Sequence, residues 1–247
     1  MTTTDDIYLK LVSAMLILAI GLLGARASLT LRARDTGNWL AIGNCFAGGV
    51  FIGAGLIHTL ADSQSLFATL MPDADFPIWS AIAAVSILIL MWIDHALSRT
   101  QTTASASGYT LLIVLSLHSL LAGMALGVEA HPVQAIAILI AILAHKGSAA
   151  FALGLRTDPN GYWPRMLAFS FMTHIGVCIG AGLTSLLQAD SETLFEAVFD
   201  AVAAGTFLYV ALAEILPKEL KGTKNVHSLA TSTFLGLGLM ALIALYA

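Results

Sequence analysis

The sequence predicts an all-α polytopic membrane protein with eight transmembrane helices. Three observations carry that reading. Hydrophobic residues make up 58% of the 247 and charged residues only 11%, against about a quarter charged in a soluble domain. Polar surface this scarce cannot cover a globule, so the solvent must be lipid. The apolar residues also fall in continuous runs of 20 to 25, rather than in the alternating segments of about ten that mark a barrel. Eight such runs are countable, at 7–29, 40–60, 78–97, 108–128, 132–155, 163–187, 194–216 and 226–246.

Taken in order, the first run follows Met1–Asp6, which lacks the basic n-region of a signal peptide, and so reads as a retained span. The second leads into the longest connection, 61–77, too short to fold alone. The third ends on Asp94-His95, before a Thr-, Ser- and Ala-rich connection at 98–107 that reads as flexible. The fourth and fifth are joined by the short turn Glu129-Ala130-His131 and should pack as an antiparallel pair. The sixth carries Gly176 and Gly180, and the second Gly49 and Gly53; both are Gly-x-x-x-Gly patterns that mark close helix contacts, within one protomer or in a homodimer. Cys45 and Cys178 both lie inside apolar runs and suggest neither disulfide nor zinc knuckle. The chain 1–247 reads as a single membrane domain.

Orientation follows from charge. Arg26, Arg32, Arg34, Arg99, Arg156, Arg165, Lys218, Lys221 and Lys224 fall at alternate connections, which the positive-inside rule makes cytoplasmic. Both termini then face out of the cytoplasm of a plasma membrane, or of a bacterial inner membrane. The opposite side carries Asp5, Asp6, Asp62, Asp73, Asp75, Glu129, Asp190, Glu192 and Glu196. An acidic face gathers cations, although acidic residues also simply fail to oppose translocation.

An internal repeat is visible. Gly49, Phe51 and His58 of the second span align with Gly205, Phe207 and Glu214 of the seventh at a constant offset of 156. These spans run in opposite directions, so spans 1–3 and 6–8 form an inverted repeat around a central pair, 4 and 5. Inverted repeats around a midplane site are the signature of secondary transporters.

Ionisable groups at mid-membrane depth are costly and mark functional sites. His118 and His145 lie near the centres of spans four and five, and imidazole nitrogen suits zinc, and also iron, copper and nickel. Ser119 can add a weak oxygen ligand or a hydrogen bond. Lys146 has two readings: a fixed charge filling a cation subsite, or a side chain snorkelling into a wet cavity. By the repeat, His58 and Glu214 line the outer and inner mouths of one pathway; Glu214 also reads as an interfacial partner of Lys218, its i+4 neighbour. His174 reads as a packing residue or a third nitrogen. No Walker-type loop and no His-Glu-x-x-His pattern occurs, so neither ATP use nor enzyme activity is expected. Axial haem ligation by the two histidines is the alternative class. No nucleic acid is expected as a partner.

These motifs resemble the ZIP (zinc- and iron-regulated transporter-like) family. His118-Ser119 with Gly123, Leu126 and Gly127 is similar to its fourth span, and His145-Lys146-Gly147 with Phe151, Gly154 and Arg156 to its fifth. Ala47–Phe51 with His58 resembles the second, and Ala204–Leu212 with Glu214 and Pro217 the seventh. The resemblance implies uptake of a divalent metal into the cytoplasm by alternating access, zinc first, with iron, manganese or cadmium possible substrates. It implies His118, His145, Ser119 and His58 as metal-handling residues, and Phe51 and Glu214 as pathway residues. The chain departs from the family at Ala122 and Ala149, four residues after each histidine, where members usually carry a glutamate.

Overall fold

A computed structural model describes residues 3–34, 38–100, 105–129, 131–183, 189–221 and 225–245. Among them every regular element is helical, and eight helices are long and apolar enough to cross a membrane. They are α1 (Thr3–Arg34), α2 (Trp39–Leu70), α3 (Ile78–Thr100), α4 (Ser105–Val128), α5 (Pro132–Arg156), α6 (Tyr162–Leu183), α7 (189–220) and α8 (Val226–Ala244). Each expected span falls on one of them.

One boundary differs substantially. The connection expected at 61–77 is helical as far as Leu70, which leaves only 71–77 as the turn. The stretch Ala61-Asp-Ser-Gln-Ser is polar but holds no helix breaker, and Ser63 is buried with its hydroxyl donating to the Ala197 carbonyl of α7 at 2.6 Å. Pro72 and Pro77 then end the run. The last residues of the expected sixth and eighth spans, 184–187 and 246, lie outside the described residues, as do 101–104 of the expected flexible connection.

The helices pack as two four-helix groups. In the first, α4 lies along α6 and α5 along α1; in the second, α2 lies along α8 and α3 along α7. The groups meet mainly through α2 with α5 and α4 with α7. One end of the assembly is basic: there Arg32 reaches the Thr157 carbonyl and Arg156 reaches Glu219. The other end carries Asp62, Glu129 and Glu196.

Glycines decide the closest pairing. A Cβ at Gly123 would run into the Thr173 carbonyl, and one at Gly127 into that of Val177. From the other side, Gly176 sits against the Leu120 carbonyl and Gly180 against that of Met124. The α4 glycines thus serve α6 rather than α5, and α5 meets α1 through Gly147 and Gly24. Gly49 likewise abuts the Thr233 carbonyl of α8. Both Gly-x-x-x-Gly patterns are used inside one chain, so neither argues for a homodimer.

Each of α2 and α7 contains one π-helical turn, Ala54–Thr59 and Val210–Ile215. Both ends of the two turns keep the 156-residue offset of the sequence repeat. Such single widened turns often accompany functional sites. Here one holds His58 and the other Glu214.

Replacing Gly176 by Val should lower stability by about 1–3 kcal/mol, because backbone rather than a mobile side chain stands in the way. Gly182→Val, with nothing within 4 Å of its would-be Cβ, is the control; thermal unfolding of the two purified variants in one detergent checks the difference.

Candidate metal centre

His118 and His145 come from α4 and α5, and both are buried. Their Nε2 atoms stand 3.4 Å apart, with the rings edge to face. A third residue, Thr206 of α7, sets the chemistry of the first. Its hydroxyl gives its one hydrogen to the Ala203 carbonyl at 2.6 Å. Its oxygen can therefore only accept from Nδ1 of His118, 3.2 Å away. In the neutral ring this puts the proton on Nδ1 and leaves Nε2 of His118 as a bare lone pair aimed at His145. Orienting a histidine through its other nitrogen is how ligand imidazoles are generally prepared.

The pair lies at the blind end of a cavity of about 390 Å³. The cavity is built from helical stripes: His58, Thr59 and Asp62 on α2; His118, Leu121, Ala122 and Ala125 on α4; Ala137, Ala141 and His145 on α5; and Glu196, Phe199, Asp200 and Ala203 on α7. Each stripe repeats every three or four residues, which keeps one helix face turned inward. Glu129 and Glu196 place the opening at the acidic end. Beyond the pair the way is closed. The Phe207 ring lies 3.9 Å from the His118 centroid and 4.8 Å from that of His145, and Phe51 stacks on Phe207 at 5.3 Å.

The other sequence-derived candidates divide sharply. His58 lines the cavity, but its Nδ1 is bonded to Asp62 at 2.8 Å. Ala122 lines the cavity, whereas Ala149 is buried in the apolar core. Lys146 does not snorkel. It is buried among α4, α5 and α6, and its ammonium donates to Ser119 at 2.9 Å, Thr173 at 3.0 Å and the Phe169 carbonyl at 3.3 Å. It also lies 3.8 Å over the Phe169 ring. Ser119 is therefore engaged by an ammonium. His174 stands off the cavity, with both ring nitrogens buried and without a hydrogen-bond partner among the described residues. Glu214 is buried and paired with Lys218 at 2.7 Å, which is the interfacial pairing its i+4 spacing allowed. Among the described residues no three His, Cys, Asp or Glu side chains converge as a metal group, so His174 does not supply a third nitrogen.

Two residues escaped the sequence reading. Asp200 is an ionisable group inside the seventh span, and the depth rule that found His118 applies to it equally. It sits one turn from Glu196 on the cavity stripe of α7. Thr206 carried no signal beyond standing next to Phe207, a residue marked by the repeat.

Comparison with known proteins bears on this arrangement. The family model described as ZIP zinc transporter matches residues 100–244, which contain both histidines, Lys146 and α7. Mouse zinc transporter ZIP2 is 37% identical over 142 residues, covering 56% of this chain and 46% of its own. Human zinc transporter ZIP1 is 27% identical over 234 residues, covering 75% and 72%. Protein zntD of Dictyostelium discoideum is 38% identical over 153 residues, covering 56% and 21%. The chain thus spans about half the length of the ZIP2 relative that it matches. With more than half of its residues inside the family model, this eight-helix protein belongs to the ZIP zinc transporter family.

Proposed function

We propose that the protein carries a divalent cation, zinc first, across the membrane through the cavity and the His118–His145 pair. The observation that carries this is the 3.4 Å between the two Nε2 atoms. Two nitrogens bound to one tetrahedral zinc, each at about 2.0–2.1 Å, lie about 3.3–3.4 Å apart. Two of the relatives named above are zinc transporters, ZIP1 and ZIP2, which supports the same substrate.

Direction and cycle belong to this reading. The basic end is cytoplasmic by the positive-inside rule, so the cavity faces outward and uptake runs inward, with both termini outside. His58, Asp62 and Asp200 receive the ion, the pair holds it, and the Phe207–Phe51 stack must part to release it past Glu214. An inverted repeat of spans 1–3 and 6–8 supports alternating access. It exchanges α2 with α7 and α4 with α5. The pairing of α4 with α6 matches that of α5 with α1, and the pairing of α2 with α8 matches that of α7 with α3. Axial haem ligation is not favoured. Such ligands stand on opposite faces of a macrocycle, whereas these rings meet directly with Phe207 against both.

Proteoliposomes should take up zinc, and His118→Ala should reduce uptake to background; iron, manganese and cadmium in parallel give the selectivity. Equal uptake by the variant overturns the reading. Thr206→Val keeps the shape but removes the acceptor for His118, and should weaken zinc binding about 10- to 100-fold by calorimetry.

A further inference from the structure

We infer that Arg156 is the latch that keeps the basic end shut while the cavity is open at the acidic end. The inference rests on the alternating-access reading above, and adds to it a residue that no part of the metal site requires.

Arg156 is the last residue of α5 and so belongs to the first helix group. Its Nη2 crosses to α7 in the second group. There it donates to the Glu214 carbonyl at 3.2 Å and lies 3.6 Å from a carboxylate oxygen of Glu219. The receiving side is prepared. Asn44 of α2 donates to the same Glu219 oxygen at 2.6 Å and holds the carboxylate in place. The Glu214 carboxylate is occupied by Lys218, so Arg156 meets the carbonyl of that residue instead. This carbonyl lies in the π-helical turn of α7, just before Pro217, which takes one N–H out of the next turn.

Two ties in the interior of the first group are of another kind. Lys146 joins α4, α5 and α6 through buried bonds, and the Ser28 and Tyr162 hydroxyls meet at 2.7 Å in the interior between α1 and α6. These hold helices together as one body. The Arg156–Glu219 pair is one-fifth exposed on both sides, 20% and 22%. Water reaches the pair and can take over its charges as it opens, which keeps the contribution of a single 3.6 Å ion pair small. A bond that must break once per cycle needs that property, and a bond that fixes a core does not. Its position completes the picture: the seam between the groups is open to the cavity at one end and tied by Arg156 at the other.

Two measurements test the latch, both in a Cys45→Ser, Cys178→Ser background. In the first, Arg156→Cys and Glu219→Cys are joined by a short, cleavable bifunctional thiol reagent in proteoliposomes. Zinc uptake should be lost in the linked protein and return on cleavage; unchanged uptake after linking shows that the ends never part there and overturns the proposal. In the second, spin labels at Arg34→Cys on α1 and Leu220→Cys on α7 report the separation of the groups in nanodiscs. Arg156→Gln should raise the population of the longer distance about tenfold, and Arg156→Lys should fall between. An unchanged distribution in Arg156→Gln sinks the latch even if the cross-linking variant does not fold. Wild type that moves no zinc while Arg156→Gln still lengthens the distance would defeat the transport reading and leave the latch standing.

Discussion

In lipid, a buried polar group can be satisfied only by another part of the protein, and the interior of this chain is arranged around that constraint. Lys146 is its clearest case. An ammonium between helices is tolerated because α4 and α6 present three oxygens to it, one for each hydrogen. Those three bonds fix where α4, α5 and α6 stand relative to one another, and with them the depth and facing of His118 and His145. Thr206 extends the same logic across to α7. Its single hydroxyl is divided between Ala203 and His118, and that division decides which imidazole nitrogen is free. His174, with neither nitrogen bonded among the described residues, is where the constraint goes unmet.

The two ends of the molecule differ because the two faces of the histidine pair differ. Toward the acidic end the helix stripes carry alanines, hydroxyls and carboxylates, and a cavity remains. Toward the basic end Phe207 and Phe51 fill the same seam with stacked rings. Large aromatic groups pack there without needing polar partners, so the closure in the middle of the membrane is apolar and the charged tie is displaced to the surface.

Much of this was legible in the sequence, and what was not had physical reasons. The spans could be read because a bilayer imposes a length and a composition. His118 and His145 stood out because charge-capable groups are rare at that depth. The helix through Ala61–Leu70 was missed because polar residues resemble a loop when their partner, the Ala197 carbonyl, lies 134 residues away. Which helix a glycine serves could not be read from spacing, since Gly123 fits a neighbour on either side. Lys146 was equally opaque: its sequence neighbours say nothing of Phe169 and Thr173. The π-helical turns depend on backbone hydrogen bonding rather than residue type, although the offset that relates them was already visible in Gly49, Phe51 and their counterparts.

The absence of carboxylates at Ala122 and Ala149 has an electrical side. A site with two acidic ligands neutralises a dication, so the loaded carrier crosses the membrane field without feeling it. Two neutral imidazoles leave the full double charge on the ion. An elementary charge gains about 2.3 kcal/mol per 100 mV, so a loaded site of this kind that crosses the field would be coupled to the membrane potential at about twice that figure. The empty return would carry no such charge. Net movement of a dication alone transfers two charges per cycle whatever the site carries. The two alanines would instead decide which half of the cycle feels the voltage, the loaded step here and the empty return in a site with two carboxylates.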